Sequence, residues 1–285
     1  DAGEAQQLAQ KATDNPEAHT EYQKGLREWN KRSKEAFANA INHFNRAIKL
    51  DPNFANPYAG LASTYGLMPA YNLEPALEVM PKAKVNAEKA IELNPNLAEA
   101  YTSLAWIQMT FEYDWAESEI NYKKAIELNP NYATNYQWYG LFLSISGKYD
   151  EAIKRMKKAL ELAPTSLIIP TNLSETYLAN GQLDLALSTY EIAAKINPEF
   201  PTSLWNYVRA QSDYDDSIEK LKNAIKNSPN TPMLRRFLFW VYMKNGEVEL
   251  AKDQMIYALD HFHDKMTVGF AEMYASLGKN DEAIR

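Results

Sequence analysis

Cysteine is absent from this 285-residue chain. That excludes disulfides and thiolate metal sites. It fits a cytoplasmic location, the expected one, and leaves the periplasm open. Glycine is scarce, with ten residues, and no Asn-Gly or Asp-Gly signal lies between alternating strand-like runs, so β-hairpins have nothing to turn on. No run of about 18 apolar residues occurs, so no membrane span is expected. The most apolar stretch, Phe237 to Met243, is far too short. Positive charge is in deficit, with 30 Lys and Arg against 37 Asp and Glu and a net charge of -7. A protein that grips a nucleic-acid backbone normally carries a basic stripe, so no direct nucleic-acid contact is expected.

Catalytic motifs are missing too. The chain has no G-x-G-x-x-G, P-loop, H-E-x-x-H or G-x-S-x-G pattern, so neither an enzyme nor a cofactor is expected. One histidine cluster runs from Asp260 through His261 and His263 to Asp264. Spacing of i, i+2 cannot place both imidazoles on one helix face, so no metal site is expected. The acidic group Asp213, Asp215 and Asp216 lacks the glycine and terminal glutamate of a calcium loop. It reads as a polar turn that caps a helix.

What the chain does have is a repeat. Six phrases recur: Ala47 to Pro52, Ala90 to Pro95, Ala125 to Pro130, Ala159 to Pro164, Ala193 to Pro198 and Ala224 to Pro229. Their prolines are 43, 35, 34, 34 and 31 residues apart. In each phrase small and branched apolar residues alternate with charge at helical spacing. In most, Asp or Asn then competes for the backbone and ends the helix. Proline restricts the residue before it, cannot continue the helix, and is expected to open the next one. With 46% hydrophobic residues, a sizeable core can form.

These positions resemble the tetratricopeptide repeat (TPR), whose period is 34 residues. After Pro130 the pattern is carried by Tyr136, Tyr139, Gly140, Gly147, Tyr149, Ala152, Met156, Ala159 and Pro164. It returns in Leu173, Tyr177, Gly181, Ala186, Tyr190, Ala193 and Pro198, and in Leu238, Tyr242, Gly246, Ala251, Met255 and Ala258, with His263 where proline would fall. The resemblance implies an all-α, right-handed α-solenoid of helix-turn-helix repeats, seven full and a partial eighth, over residues 17–285. Residues 1–16 are then a linker or extension. The first repeat carries about three extra residues around Trp29 to Ser33, the second about nine over 69–81, and the sixth loses three before Asp213. Insertions in solenoids usually form loops on one face, so 69–81 reads as a loop, neutral or acting as a lip.

Some segments resemble, more narrowly, TPR arrays of multidomain bacterial signalling proteins. They are Tyr22 to Gly25, Trp29 to Arg32, Ala40 to Phe44, and Ala133 to Gly140. Such arrays accompany winged-helix activators, nucleotide cyclases and Ser/Thr kinases. The chain opens on Asp1 rather than Met and closes on Ala283, Ile284 and Arg285 inside a helical pattern. Both ends suggest a piece of a longer protein with a covalently linked output domain.

The family's frame implies a partner-binding groove lined by one stripe of each repeat's first helix. Here that stripe carries Tyr22, Trp29, Trp106, Gln137, Trp205, Arg209, Arg236, Trp240 and Lys244, with Thr102, Met109, Leu141, Ser144, Thr171, Glu175 and Leu178 beside them. Trp and Arg are the residue types that dominate binding hot spots. Two uses are open for the tryptophans: lining the groove, or packing between repeats, as expected of Trp115 and Trp138. The expected function is a protein-interaction module for a peptide or partner protein. The alternative is a regulatory domain sensing a small molecule or lipid.

Overall fold

The computed structural model describes residues 13–211, 214–262 and 267–278. Among these the chain forms fifteen α-helices and no strand. It divides into two compact units, Asp1–Ser146 and Gly147–Arg285. The first holds α1 (Pro16–Asn30), α2 (Lys34–Leu50), α3 (Ala55–Leu67), α4 (Ala76–Leu93), α5 (Ala98–Ile107), α6 (Trp115–Leu128) and α7 (Ala133–Ile145). The second holds α8 (Tyr149–Leu162), α9 (Ile168–Ala179), α10 (Leu183–Ile196), α11 (Pro201–Ala210), α12 (Asp215–Asn227), α13 (Pro232–Lys244), α14 (Val248–Phe262) and α15 (Thr267–Ser276).

Within each unit the helices pair and the pairs stack. In the first, α1 packs on α2, α3 on α4 and α5 on α6, while α1, α3, α5 and α7 touch in series as one layer. In the second, α9 pairs with α10 and α13 with α14, while α9, α11, α13 and α15 form the equivalent layer. These are the stacked helix hairpins of an α-solenoid. Each hairpin buries its apolar faces only against its neighbours.

The recurring phrases end helices as their chemistry requires. Asp51, Asn94, Asn129 and Asn197 are each a C-cap in extended conformation. Each side chain accepts the N–H two residues on, at 3.0 Å. This local bond competes with the helical ladder and turns the chain. The phrase alanines Ala47, Ala90, Ala125, Ala159, Ala193 and Ala224 are all buried where helices close on one another. The phrase prolines do not open helices, contrary to expectation. Pro52, Pro95 and Pro130 lie in the turns, and α3, α5 and α7 start three residues later. Among the described residues, the prolines that do open an α-helix are Pro16, Pro201 and Pro232, none of them a phrase proline. An Asx turn needs residues between cap and next helix, and those residues displace the phrase proline from the helix start.

Helix-pair turns pass through the left-handed backbone region. In the second unit Gly147, Gly181, Gly246 and Gly278 supply it, with φ between 72° and 80°. In the first unit Arg32, Asn72 and Tyr113 do, with φ between 53° and 58°. Glycine takes this conformation without strain and other residues do not. The turn before α12 contains residues 212–213 and Asp213 with them, which lie outside the described residues.

The second-repeat insertion is only half a loop. Pro69–Tyr71 form a 3₁₀ turn, Asn72 reverses the chain and Pro75 caps α4. Residues 76–81 extend that helix to 18 residues, with Pro81 inside it. Tyr71 packs edge-on against Phe37 with centroids 5.5 Å apart. At the other end, Asn15 caps α1 by accepting from Glu17 and Ala18, and its amide donates to Leu50 O at 3.0 Å. Thr13 Oγ1 donates to Asp51. Thr13 and Asn15 are thus tied by hydrogen bonds to the end of α2.

Candidate binding face

The first helices of the hairpins carry every predicted site residue, one group in each unit. In the second unit, Trp205 and Arg209 lie one turn apart on α11, and Arg236, Trp240 and Lys244 lie one turn apart on α13. Spacing of i, i+4 puts each set on one side of its helix. The Trp205 ring is half-buried and stacks on Phe237 of the next hairpin, with centroids 4.6 Å apart and planes 11° from parallel. Trp240 is half-buried and meets Phe239 edge-on at 5.8 Å. Arg209 Nη1 lies 3.6 Å from Glu175, and Arg236 Nη1 lies 3.7 Å from Glu272. Both pairs are well exposed, and the cations are open to a competing carboxylate. Lys244 is exposed.

Buried polar contacts keep these helices in register. Asn206 Nδ2 donates to Thr171 O at 2.9 Å, joining α11 to α9, and both residues are buried. Thr102 and Asn135 do the same between α5 and α7, where Asn135 also donates to Tyr122 O at 3.0 Å. Thr171 and Thr102 lie on the predicted stripe, and both make hydrogen bonds inside the protein.

In the first unit the aromatic members of the stripe pack inward. Tyr22 is buried between Phe44 and Phe54, with centroids at 5.9 and 5.3 Å. Trp106 donates from Nε1 to Gly66 O at 2.8 Å, and its ring lies 5.0 Å from Trp138 of α7. Gln137 and Met109 are buried. Trp29 is buried beneath the Arg32 guanidinium, whose carbon sits 3.4 Å from the ring centroid. Trp138 is buried, and Trp115, partly exposed, leans on Phe142 at 5.4 Å.

Two of these side chains, Tyr22 and Trp29, border a recess. Tyr22, Leu26, Trp29, Glu99 and Tyr132 line it above Phe44, Ala59, Gly60 and Ser63, around a cavity of about 30 Å³. Its residues come from α1, α2, α3, α5 and the turn before α7. Burial raises the Glu99 carboxyl above the usual range, so it holds its proton more tightly than a free glutamate. Burial also pushes the Tyr22 and Tyr132 phenols up, helped by the Glu99 charge. Arg32, beside Trp29, is pulled down by burial to about 10 and stays cationic at neutral pH. Arg32, Glu99 and Tyr132 were not among the expected site residues. Glu99 reads in sequence as a first-turn acid of α5, Tyr132 as a spacer after Pro130, and Arg32 as part of a short insertion. Nothing local announces that stacked hairpins bring them together.

Among the described residues, no group of three or more His, Asp or Glu side chains could hold a metal ion. His261 stacks on Tyr257 at 4.0 Å, while His263 and Asp264 lie outside the described residues. No described helix is long and apolar enough to cross a membrane.

Family models for the tetratricopeptide repeat match residues 121–154 and 143–207, and a TPR repeat model matches residues 31–68. Repeat phase, hairpin architecture and these matches agree. The chain is a tetratricopeptide repeat protein. The yeast Tom70 structure has the same TPR architecture, with a TM-score of 0.62 at 22% identity, covering 95% of this chain and 59% of Tom70. Among curated relatives, the transcriptional regulator HilA of Salmonella typhimurium is 29% identical over 144 residues, 50% of this chain and 26% of HilA. Human superkiller complex protein 3 is 23% identical over 229 residues, 78% of this chain and 14% of that protein. This chain therefore spans about a quarter or less of either relative.

Proposed function

We propose that this TPR array is the interaction module of a larger regulatory protein and holds a peptide or an extended segment of a partner protein on its first helices. The observation that carries this is the α11–α13 face. Two half-buried tryptophans stand beside Arg209, Arg236 and Lys244; Arg209 and Arg236 each pair with an exposed, exchangeable carboxylate, Arg236 also lies over the Phe237 ring at 5.8 Å, and Lys244 is exposed. Rigid ring faces take apolar anchors, and guanidinium groups take carboxylates in fixed geometry. The similarity to HilA, named as a transcriptional regulator, supports a regulatory setting with a linked output domain in the cytoplasm. Sensing of a lipid is not favoured: the aromatic recess has room for about 30 Å³, and the larger cleft between α1 and α2, about 570 Å³, is lined by Glu17, Glu21, Lys24, Arg46 and Lys49, a charged wall that does not suit an acyl chain.

The test is affinity capture of partners with the immobilised chain. Replacing Arg209 and Arg236 together by Ala should reduce capture at least tenfold. Replacing the exposed Lys154 and Lys222, on second helices, should leave it unchanged. Equal capture by both variants would refute the assignment of the face.

A further inference from the structure

The turn between α1 and α2 combines features that neither packing nor the TPR fold requires. Trp29 Nε1 and Arg32 Nη1 are both buried and have no hydrogen-bond partner. Buried donors are nearly always paired, and a buried charge more so. The groups that act electrostatically on Arg32 are the Tyr71 and Tyr132 phenols, not a carboxylate. Cation and indole are stacked at 3.4 Å, so the two unpaired N–H groups lie within a few ångströms of each other. Arg32 also occupies the left-handed position of its turn, with φ 56°, where Gly147, Gly181 and Gly246 serve the corresponding turns of the second unit. A long side chain held in that conformation, at some strain, points to a use for the side chain itself.

We propose that Arg32 and Trp29 receive one carboxylate, the side chain of an Asp or Glu on the bound polypeptide segment. One oxygen accepts from the guanidinium and the other from the indole N–H. This rests on the reading of the array as a polypeptide binder and adds a named contact to it. A singly charged, planar group suits the recess. The cavity on the Trp29 side, which Arg32 does not line, is small at about 30 Å³, and the Glu99 carboxyl on its wall would repel a dianion such as phosphate more strongly than a single carboxylate. The aromatic rings around the site exclude water and strengthen the charge-assisted bonds.

The experiment follows the indole N–H resonances of the full chain by NMR, with Trp29 assigned from Trp29→Phe. The probe is aspartate blocked at both ends, compared with blocked asparagine, N-acetylalanine and inorganic phosphate. Blocked aspartate should move the Trp29 signal saturably, and blocked asparagine should not. Arg32→Gly should weaken the response at least tenfold while leaving the melting temperature unchanged or higher, because glycine relieves the turn. An equal response to asparagine, no response to aspartate, or full binding by Arg32→Gly overturns the proposal. Tighter binding of N-acetylalanine would reassign the site to a chain end, and tighter binding of phosphate to a dianion. Either overturns the side-chain assignment. If the indole is silent while capture still depends on Arg209 and Arg236, this inference alone fails. If the indole responds but capture ignores those arginines, the binding-face assignment fails instead.

Discussion

The Phe44 ring of α2 lies so close over Gly25 of α1 that a Cβ on that glycine would sit 2.5 Å from Cε1. Gly60 of α3 meets the same ring, where an added Cβ would come within 2.7 Å. One buried phenyl group thus joins two hairpins through two missing side chains. Gly25→Ala gains helix propensity of up to about 1 kcal/mol but forces a fully buried ring to move, which costs about 1–3 kcal/mol. Net destabilisation is expected, read as a lower urea midpoint with an unchanged slope. A midpoint at or above that of the parent would show that the ring moves freely.

Asn135 makes two buried bonds, donating to Tyr122 O and accepting from Thr102 Oγ1 at 3.1 Å. Asn135→Ala removes the amide that donates to the Tyr122 carbonyl, while the Thr102 hydroxyl keeps Ala98 O as acceptor at 2.9 Å. The expected cost is about 1–3 kcal/mol, measured by chemical denaturation. A double variant with Thr102→Val should cost less than the sum of the two single changes, because the two groups share one bond.

The repeat and its hairpins were legible in sequence because their causes are local. Asp51, Asn94, Asn129 and Asn197 end helices through bonds to residues two positions on. The buried alanines recur at helical spacing. Two local features were not legible. The phrase prolines looked like helix starters, yet the Asx turns place them before the helices. The 69–81 insertion looked like a loop, yet residues 76–81 lengthen α4, Pro81 included. The candidate site was legible only as a stripe. Whether Trp29 packs inward or faces a partner depends on Arg32, Glu99 and Tyr132, which three-dimensional stacking brings together.

Glu99 gives the recess a pH signature. Burial raises its folded pKa above the unfolded value, so the folded state binds the proton more tightly. Stability falls as pH rises through the window between the two values. Glu99→Gln removes this penalty. The variant should melt higher than the parent at pH 7, and the gap should close as pH falls below the unfolded carboxylate range. A gap that widens on acidification would mean that Glu99 is stabilised as an anion.

Arg209→Ala separates stability from binding. Its pair with Glu175, at 3.6 Å and well exposed, is worth roughly 0–1 kcal/mol. The melting temperature should barely change while partner capture falls. A large drop in melting temperature would make Arg209 a structural residue.

Site-directed photo-crosslinking tests the central claim most directly. A photoreactive phenylalanine is placed at Arg209 or Lys244 on the first-helix face, or at Lys154 or Lys222 on second helices, and each chain is irradiated with its captured partner. The first-helix positions should give a crosslinked polypeptide and the second-helix positions should not. Crosslinks of equal or greater yield from Lys154 and Lys222 would contradict the account.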